Sequence, residues 1–155
     1  MNDYNERFRG VINLIGKDKI KFLSTANVCV VGLGGVGSWA AESLARSGVG
    51  RLTIVDFDEI SKSNVNRQIH SLEGEFHKTK VDAMAERISK INPDCLINPI
   101  HSFFTYSNAD EILSENYSYV IDAMDSPSKK CLLADKCKKR GIPLIMTGAA
   151  GGKID

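Results

Sequence analysis

The chain has 155 residues, 43% of them hydrophobic and 25% charged, and 20 Lys and Arg against 19 Asp and Glu leave a net charge of +1. Such a composition belongs to an ordinary globular domain with one core; it excludes a disordered segment and gives no global electrostatic reason to expect nucleic acid. No apolar run approaches the roughly 20 residues of a membrane span, and the polar start Met1 to Arg9 lacks a signal-peptide core, so the cytoplasm is the expected compartment, without membrane contact.

Tyr4 to Leu23 mixes apolar Phe8, Val11, Ile12, Leu14, Ile15, Ile20, Phe22 and Leu23 with charges at loosely helical spacing, and reads as one or two short helices. Arg7 and Arg9 within it are either solvated charges or cations that reach a phosphate site. After Ala26-Asn27 the apolar run Val28-Cys29-Val30-Val31 predicts a strand that turns abruptly into Gly32-Leu33-Gly34-Gly35-Val36-Gly37. This G-x-G-x-x-G turn is how a nucleotide-binding strand enters its helix: Gly32 permits the tight turn, Gly34 lets a phosphate approach the backbone, and Gly37 lets the helix pack closely. Unpaired helix amides and the positive end of the dipole then form an anion site without a charged side chain.

The next helix is expected from about Val36 to Ser47, closed by Gly48, and a second strand from Arg51 to Asp56. Asp56 lies 19 residues past Gly37, where a dinucleotide fold places the acid that binds a ribose hydroxyl. Phe57 to Gln68 carries Asp58, Glu59, Ser61, Ser63, Asn64, Asn66 and Arg67, too polar for a core element, and reads as a functional loop. A helix from about Lys78 to Ile91 follows, with Val81, Met84, Ala85, Ile88 and Ile91 on its apolar face. Lys80 falls in its first turn, where the helix dipole opposes a cation; it is either a solvated lysine or a departure from local rules that marks a site.

Cys95 to Phe104 reads as a third strand, Asn108 to Glu115 as a short helix, and Tyr117 to Ala123 as a fourth strand leading to Asp125. Ser126-Pro127 reads as a helix start with a capping hydroxyl, and Lys136, Lys138, Lys139 and Arg140 before Gly141 and Pro143 as its end. Pro143 to Thr147 is the fifth strand. Alternating strands and helices predict an α/β, Rossmann-like, doubly wound and mainly parallel sheet, with ligands at the carboxyl ends of the strands. The chain stops directly after the fifth strand, as expected of a sheet truncated in a fragment of a longer protein. Cys29, Cys95, Cys131 and Cys137 form no C-x-x-C pair and read as structural, so no zinc site is expected.

Charge decides between nucleotides. The glycine turn and Asp56 would suffice for a nicotinamide dinucleotide. Asp58 and Asp125 would repel phosphates unless a hard divalent cation intervened, and Arg67 with Lys80 adds two cations. A nucleoside triphosphate carries roughly four negative charges, matched by Arg67, Lys80 and one Mg²⁺.

Five ordered signatures, Gly32 to Gly37, Asp56-Phe57-Asp58, Ser63-Asn64-Val65-Asn66-Arg67-Gln68, Lys80 and Val120 to Ser126, resemble those of the ubiquitin-activating-like adenylation superfamily. Gly37 to Glu42, Asn66-Arg67-Gln68-Ile69-His70, Tyr119 to Ser126 and the closing Thr147 to Asp155 are most similar to the tRNA threonylcarbamoyladenosine dehydratases. The resemblance implies an N-terminal helical segment over residues 1–26 and an ATP-binding adenylation domain over 27–155. It also implies attack of a carboxylate on the α-phosphate of ATP, loss of pyrophosphate, and trapping of the acyl-adenylate. In the dehydratase branch that carboxylate belongs to threonylcarbamoyladenosine in tRNA, and the internal trap gives a cyclic product with loss of water.

By the matched positions, Gly32, Gly34, Gly35, Gly37, Asp58, Asn64, Asn66 and Gln68 would surround the nucleotide, with Asp56 holding the ribose. Arg67 and Lys80 would hold the phosphates and the charge developing on them, and Asp125 would hold Mg²⁺. Carrier-activating relatives donate an N-terminal arginine across a dimer, which implies a homodimer and makes Arg7 and Arg9 candidates for that role. The alternative function is an adenylyltransferase acting on the C-terminal glycine of a small sulfur-carrier protein. A nicotinamide oxidoreductase and a catalytically silent nucleotide-binding module are the remaining readings.

Overall fold

A computed structural model describes residues 3–148; residues 149–155, which carry the end of the closing Thr147 to Asp155 signature, lie outside it. Its centre is a five-stranded sheet of order β3-β2-β1-β4-β5 in which every neighbouring pair is parallel. The strands are β1 (Asn27–Val31), β2 (Arg51–Asp56), β3 (Leu96–His101), β4 (Tyr119–Asp122) and β5 (Leu144–Met146). The expected doubly wound α/β architecture is therefore present, with β1 in the middle.

The two-residue period of β1 sends its side chains into two separate cores. Val28 and Val30 face α4 (Gly37–Arg46) and α5 (Lys80–Ile91), packing with Leu52, Ile54, Ala41, Ala45, Met84 and Ile88. Cys29 and Val31 face the opposite way, toward α6 (Ala109–Ile112) and α7 (Pro127–Arg140), packing with Val120, Leu113, Leu133 and Cys137. Cys29, Cys95 and Cys137 are buried and Cys131 is exposed; burial pushes the Cys29 thiol up to about 12, so it serves as a small apolar group. Three short helices rather than one or two, α1 (Asp3–Arg7), α2 (Arg9–Ile15) and α3 (Ile20–Thr25), precede the sheet and dock through buried Phe8, Ile12 and Ile20.

Three boundaries differ from the sequence reading for identifiable reasons. The third strand ends at His101 rather than Phe104, because the chain leaves the sheet there to bury Phe104 in the second core. Tyr117 is no strand residue; its buried hydroxyl donates to the Ile112 carbonyl at 3.0 Å and pairs with the Thr53 hydroxyl at 3.2 Å. The helix expected from Lys78 begins at Lys80, since the Thr79 hydroxyl caps it by accepting the Asp82 N–H at 3.1 Å. Ser126 does not cap α7 as expected: its hydroxyl pairs with that of Ser128 at 3.2 Å.

The turn after β1 leaves no room for side chains at two of its glycines. Gly32 adopts φ +93°, and a Cβ built there would lie 2.9 Å from the Ala123 carbonyl; one at Gly37 would fall on the Gly32 carbonyl oxygen. Substitution Gly37→Ala must therefore push α4 away from the turn, at a cost of about 1–3 kcal/mol. Thermal unfolding of the full protein is expected to show a Tm lower by roughly 3–10 °C; an unchanged Tm would mean that the turn yields freely.

Candidate active site

β2 ends in Asp56, and this carboxylate closes the turn above it. Its Oδ2 accepts the Leu33 N–H at 2.6 Å, and its Oδ1 accepts the Asp58 N–H at 2.8 Å. Asp58 in turn faces Lys80, whose Nζ lies 2.7 Å from Asp58 Oδ2 and 4.0 Å from Asp56 Oδ1. Lys80 is only 4% exposed, which removes the reading of a solvated surface lysine. An ammonium at the start of a helix, against the dipole, is held there by two carboxylates.

The loop between β2 and α5 is ordered by its own side chains. Asn64 Oδ1 accepts the Ser61 N–H at 3.0 Å, and the Asn64 carbonyl accepts the N–H groups of Arg67 and Gln68 at 3.1 and 2.9 Å. Arg67 Nη1 donates to the Ser63 carbonyl at 3.0 Å and to Asn66 Oδ1 at 2.9 Å. The indole of Trp39, on α4, donates to the Arg67 carbonyl at 2.9 Å, and the aliphatic stem of Arg67 lies against Gly35. Two neutral acceptors thus fix the guanidinium, and no carboxylate pairs with it among the described residues.

These pieces converge on a cavity of about 450 Å³ at the carboxyl end of the sheet, within the range of small-molecule sites. Gly32, Gly34, Gly35, Asp58, Asn64, Arg67, Gln68, Lys80 and Asp125 line it; Gly37, Asp56 and Asn66 do not. Gly37 is taken up by helix packing, Asp56 by the two backbone amides and Asn66 by orienting Arg67. Arg7 does not line the cavity: it pairs with Asp3 at 3.1 Å and donates to the Ile91 carbonyl at 3.3 Å. Arg9 is exposed and likewise outside the lining.

Polar valences are left open where a ligand would sit. The Gln68 Oε1 is buried without a hydrogen-bond partner among the described residues. At the start of α4, Val36 supplies no side-chain cap; the Ser38 N–H is taken by the Gly34 carbonyl at 3.1 Å, while the Gly37 and Trp39 amides have no backbone partner among the described residues and remain available. A Cβ at Gly34 would meet nothing within 4 Å. Asp125 is exposed on the turn between β4 and α7, with no ion pair among the described residues. A lone carboxylate at the edge of a phosphate-sized space is the donor set that Mg²⁺ uses, since the ion completes its shell with water and phosphate oxygens.

The sequence did not single out every residue at the cavity: Phe57, Ser102, Phe104, Met124 and Lys129 are among the others that line it. Asp122, fully buried at the end of β4, pairs with Lys130 Nζ at 3.0 Å and accepts the Met124 N–H at 3.0 Å. It repeats at β4 what Asp56 does at β2. That signal, an aspartate as the last residue of a buried strand before a turn, is present in both segments.

The sequence profile of the ThiF family matches residues 6–154. The chain belongs to the ThiF family. Among relatives of this ThiF-family chain, the Escherichia coli K12 protein named tRNA threonylcarbamoyladenosine dehydratase is 46% identical over 98% of this chain and 57% of its own length. The Haemophilus influenzae protein of the same name is 43% identical over 100% of this chain and 59% of its own. The crystal structure of the Escherichia coli tRNA N6-threonylcarbamoyladenosine dehydratase in complex with ATP superposes with a TM-score of 0.96 at 45% identity, covering 100% of this chain and 64% of that one. This ThiF-family chain thus spans about three fifths of the length of the relatives it matches.

Behind the lysine lies His70, fully enclosed and with neither ring nitrogen hydrogen-bonded among the described residues. Burial, then the charges of Lys80 and Arg87, lower it to about 4 from an ordinary 6.5. The imidazole is therefore neutral at pH 7 and adds no charge beside Lys80. Below pH about 6.5 the unfolded chain takes up this proton first. The stability His70 contributes is accordingly full above that pH and lost as pH falls toward 4, by about 3 kcal/mol in all. Between pH 7 and pH 4 the wild type should lose about 3 kcal/mol more unfolding free energy than His70→Leu; parallel curves would place the acid sensitivity elsewhere.

Proposed function

We propose that this ThiF-family chain is the ATP-binding part of a tRNA-modifying enzyme that adenylates the carboxylate of threonylcarbamoyladenosine and lets it cyclise with loss of water. The observation that carries this reading is the convergence on one cavity of an uncapped helix N-terminus, Arg67, Lys80 and two acids, Asp58 and Asp125. The names and the ATP complex of the similar proteins support it.

The chain's own residues supply positioning and electrostatics. The polyphosphate lies along the glycine turn, where Gly34 leaves the space, with the α4 amides donating to it. Asp58 is the better ribose ligand than the expected Asp56, because it lines the cavity while Asp56 faces backbone amides. Arg67 and Lys80 stabilise charge on the pentavalent α-phosphate and the departing pyrophosphate. The substrate carboxylate attacks that phosphorus and pyrophosphate leaves; an internal nucleophile of the modified adenosine then attacks the acyl carbon, and AMP leaves. No protein nucleophile takes part. Mg²⁺ held at Asp125 would neutralise phosphate charge as the polyphosphate binds. The protein works as a cytoplasmic homodimer, and Arg7 or Arg9 is the candidate contribution to a partner's site. A sulfur-transfer or carrier protein is its second candidate partner.

The test uses the full-length protein with MgATP and tRNA bearing threonylcarbamoyladenosine, following nucleoside mass and ATP–pyrophosphate exchange. The expected result is loss of one water per modified nucleoside. Adenylation of a small carrier protein without that loss would transfer the assignment to the adenylyltransferase reading. Arg67→Ala should lower exchange about a hundredfold, about 3 kcal/mol of transition-state stabilisation, with little change in ATP affinity. Lys80→Ala should lose ATP affinity as well, because it removes a phosphate contact and leaves the Asp58 carboxylate without its ion-pair partner in the cavity. Gly34→Ala should keep the wild-type Tm and weaken ATP binding, since only a ligand occupies the space its methyl group takes.

A further inference from the structure

Beyond the cavity, on the side of α7, two aromatic rings stack in the open. Phe57 follows β2 and Phe103 follows β3, and their ring centroids lie 3.5 Å apart at 20°. The backbone holds them in place: His101 Nε2 lies 2.8 Å from the Phe57 carbonyl, and the Ser102 N–H donates to the Asp56 carbonyl at 3.2 Å. Phe57 nevertheless stays 43% exposed and Phe103 46%. Phe57 lines the cavity and Phe103 does not, so the stack straddles its rim.

Lys129, in the first turn of α7, places its ammonium 4.3 Å from the Phe103 centroid and 5.6 Å from that of Phe57. Together with the ring separation these distances form a nearly right-angled triangle with its corner at Phe103. The ammonium therefore flanks the stack and does not cover its outer face. No carboxylate pairs with Lys129 among the described residues.

The arrangement repeats two turns along the helix. Lys136 lies seven residues after Lys129, on the same face of α7, and its ammonium is 4.7 Å from the ring of Tyr106, which is 76% exposed. Asp110 binds both Lys136, at 2.6 Å, and Arg140, at 2.9 Å, so this cluster keeps one net positive charge. Two exposed aromatic sites, each beside a lysine on one face of α7, suit the stacked bases and phosphates of a single-stranded nucleic acid.

We propose that the Phe57–Phe103 stack and Lys129, continued by Tyr106 and Lys136, form the track on which a single-stranded segment of the RNA substrate docks, one of its bases stacking on the phenylalanine pair at the cavity rim. The proposal rests on the tRNA-modifying function proposed above and adds the surface that presents the RNA. A base on the rim brings its neighbouring nucleotide to the mouth of the cavity; Lys129 meets the RNA backbone there, while Lys136, 12% exposed and paired with Asp110, supports the ring of Tyr106 further out.

The experiment uses the full-length protein, MgATP and tRNA carrying threonylcarbamoyladenosine. Phe103→Ala should raise the KM for tRNA roughly tenfold, the size of one lost base–aromatic stack, and leave the Kd for ATP unchanged; Phe103→Trp should restore the KM. Lys129→Ala, a surface change that keeps the fold, should reduce the dependence of log KM on log salt by about 0.7, the loss of one single-strand phosphate contact. An unchanged KM and salt slope in active variants would overturn the proposal. So would a parallel loss of ATP affinity in Phe103→Ala, which would assign the stack to the adenine of ATP. Failure of the wild type to turn over this tRNA at all would instead count against the function on which the proposal rests.

Discussion

The carboxylate of Asp56 joins three segments that have no reason to meet otherwise. It accepts the Leu33 amide of the glycine turn and the Asp58 amide of the following loop, and faces the ammonium that opens α5. Backbone amides in a turn this tight cannot find carbonyl partners within the sheet, and leaving them buried and unpaired would cost about 1–3 kcal/mol each. One buried acid satisfies two of them. Its negative charge then calls for a cation close by, and Lys80, lodged between the acids, provides it. The shape of the phosphate-sized space follows from that solution.

Much of this was legible in the sequence because it depends on local chemistry. The β-branched run into spaced glycines specified the strand, the turn and the helix entry, and alternation of strands with helices specified a parallel sheet. Arg67, Lys80, Asp58 and Asp125 were legible as charges with no place in a core. What escaped depended on tertiary partners. Spacing located Asp56 at the end of its strand but could not show that its carboxylate accepts the Leu33 and Asp58 amides. Ser126 was read as a cap from its residue type, yet its hydroxyl found Ser128. The bond by which the Trp39 indole holds the Arg67 carbonyl joins residues 28 apart in the chain, and no local pattern marks it. The Asp122–Lys130 pair lay hidden because a lysine within a basic helix carries no local mark of burial.

Lys80 and Arg67, two of the cations that line the cavity, differ in kind. Lys80 is compensated by Asp58 and Asp56, so a phosphate that approaches it must share the ammonium with carboxylates already there. Arg67 is held by a carbonyl and an amide oxygen, which orient the guanidinium without neutralising it. A charge fixed by neutral acceptors needs no reorganisation when an anion arrives, and such preorganisation is where electrostatic catalysis gains most. His70 extends the same logic, since its neutrality keeps a third positive charge from crowding Lys80.

Topology explains why the site lies between β1 and β4. The chain leaves β1 toward one face of the sheet through α4, and leaves β4 toward the other through α7, so the connections diverge and open a crevice at the carboxyl ends of these central neighbours. The buried aspartates at the ends of β2 and β4 brace its two walls by one device, each accepting the amide two residues ahead. Nothing else about the walls is alike. One is glycine backbone and a loop clasped by its own side chains, suited to a polyphosphate. The other is α7 with its lysines and the aromatic loop after β3, suited to a larger partner entering from solvent. The proposed coupling of ATP to a macromolecular carboxylate would draw on that asymmetry, because the small reactant must be enclosed while the large one keeps its bulk outside.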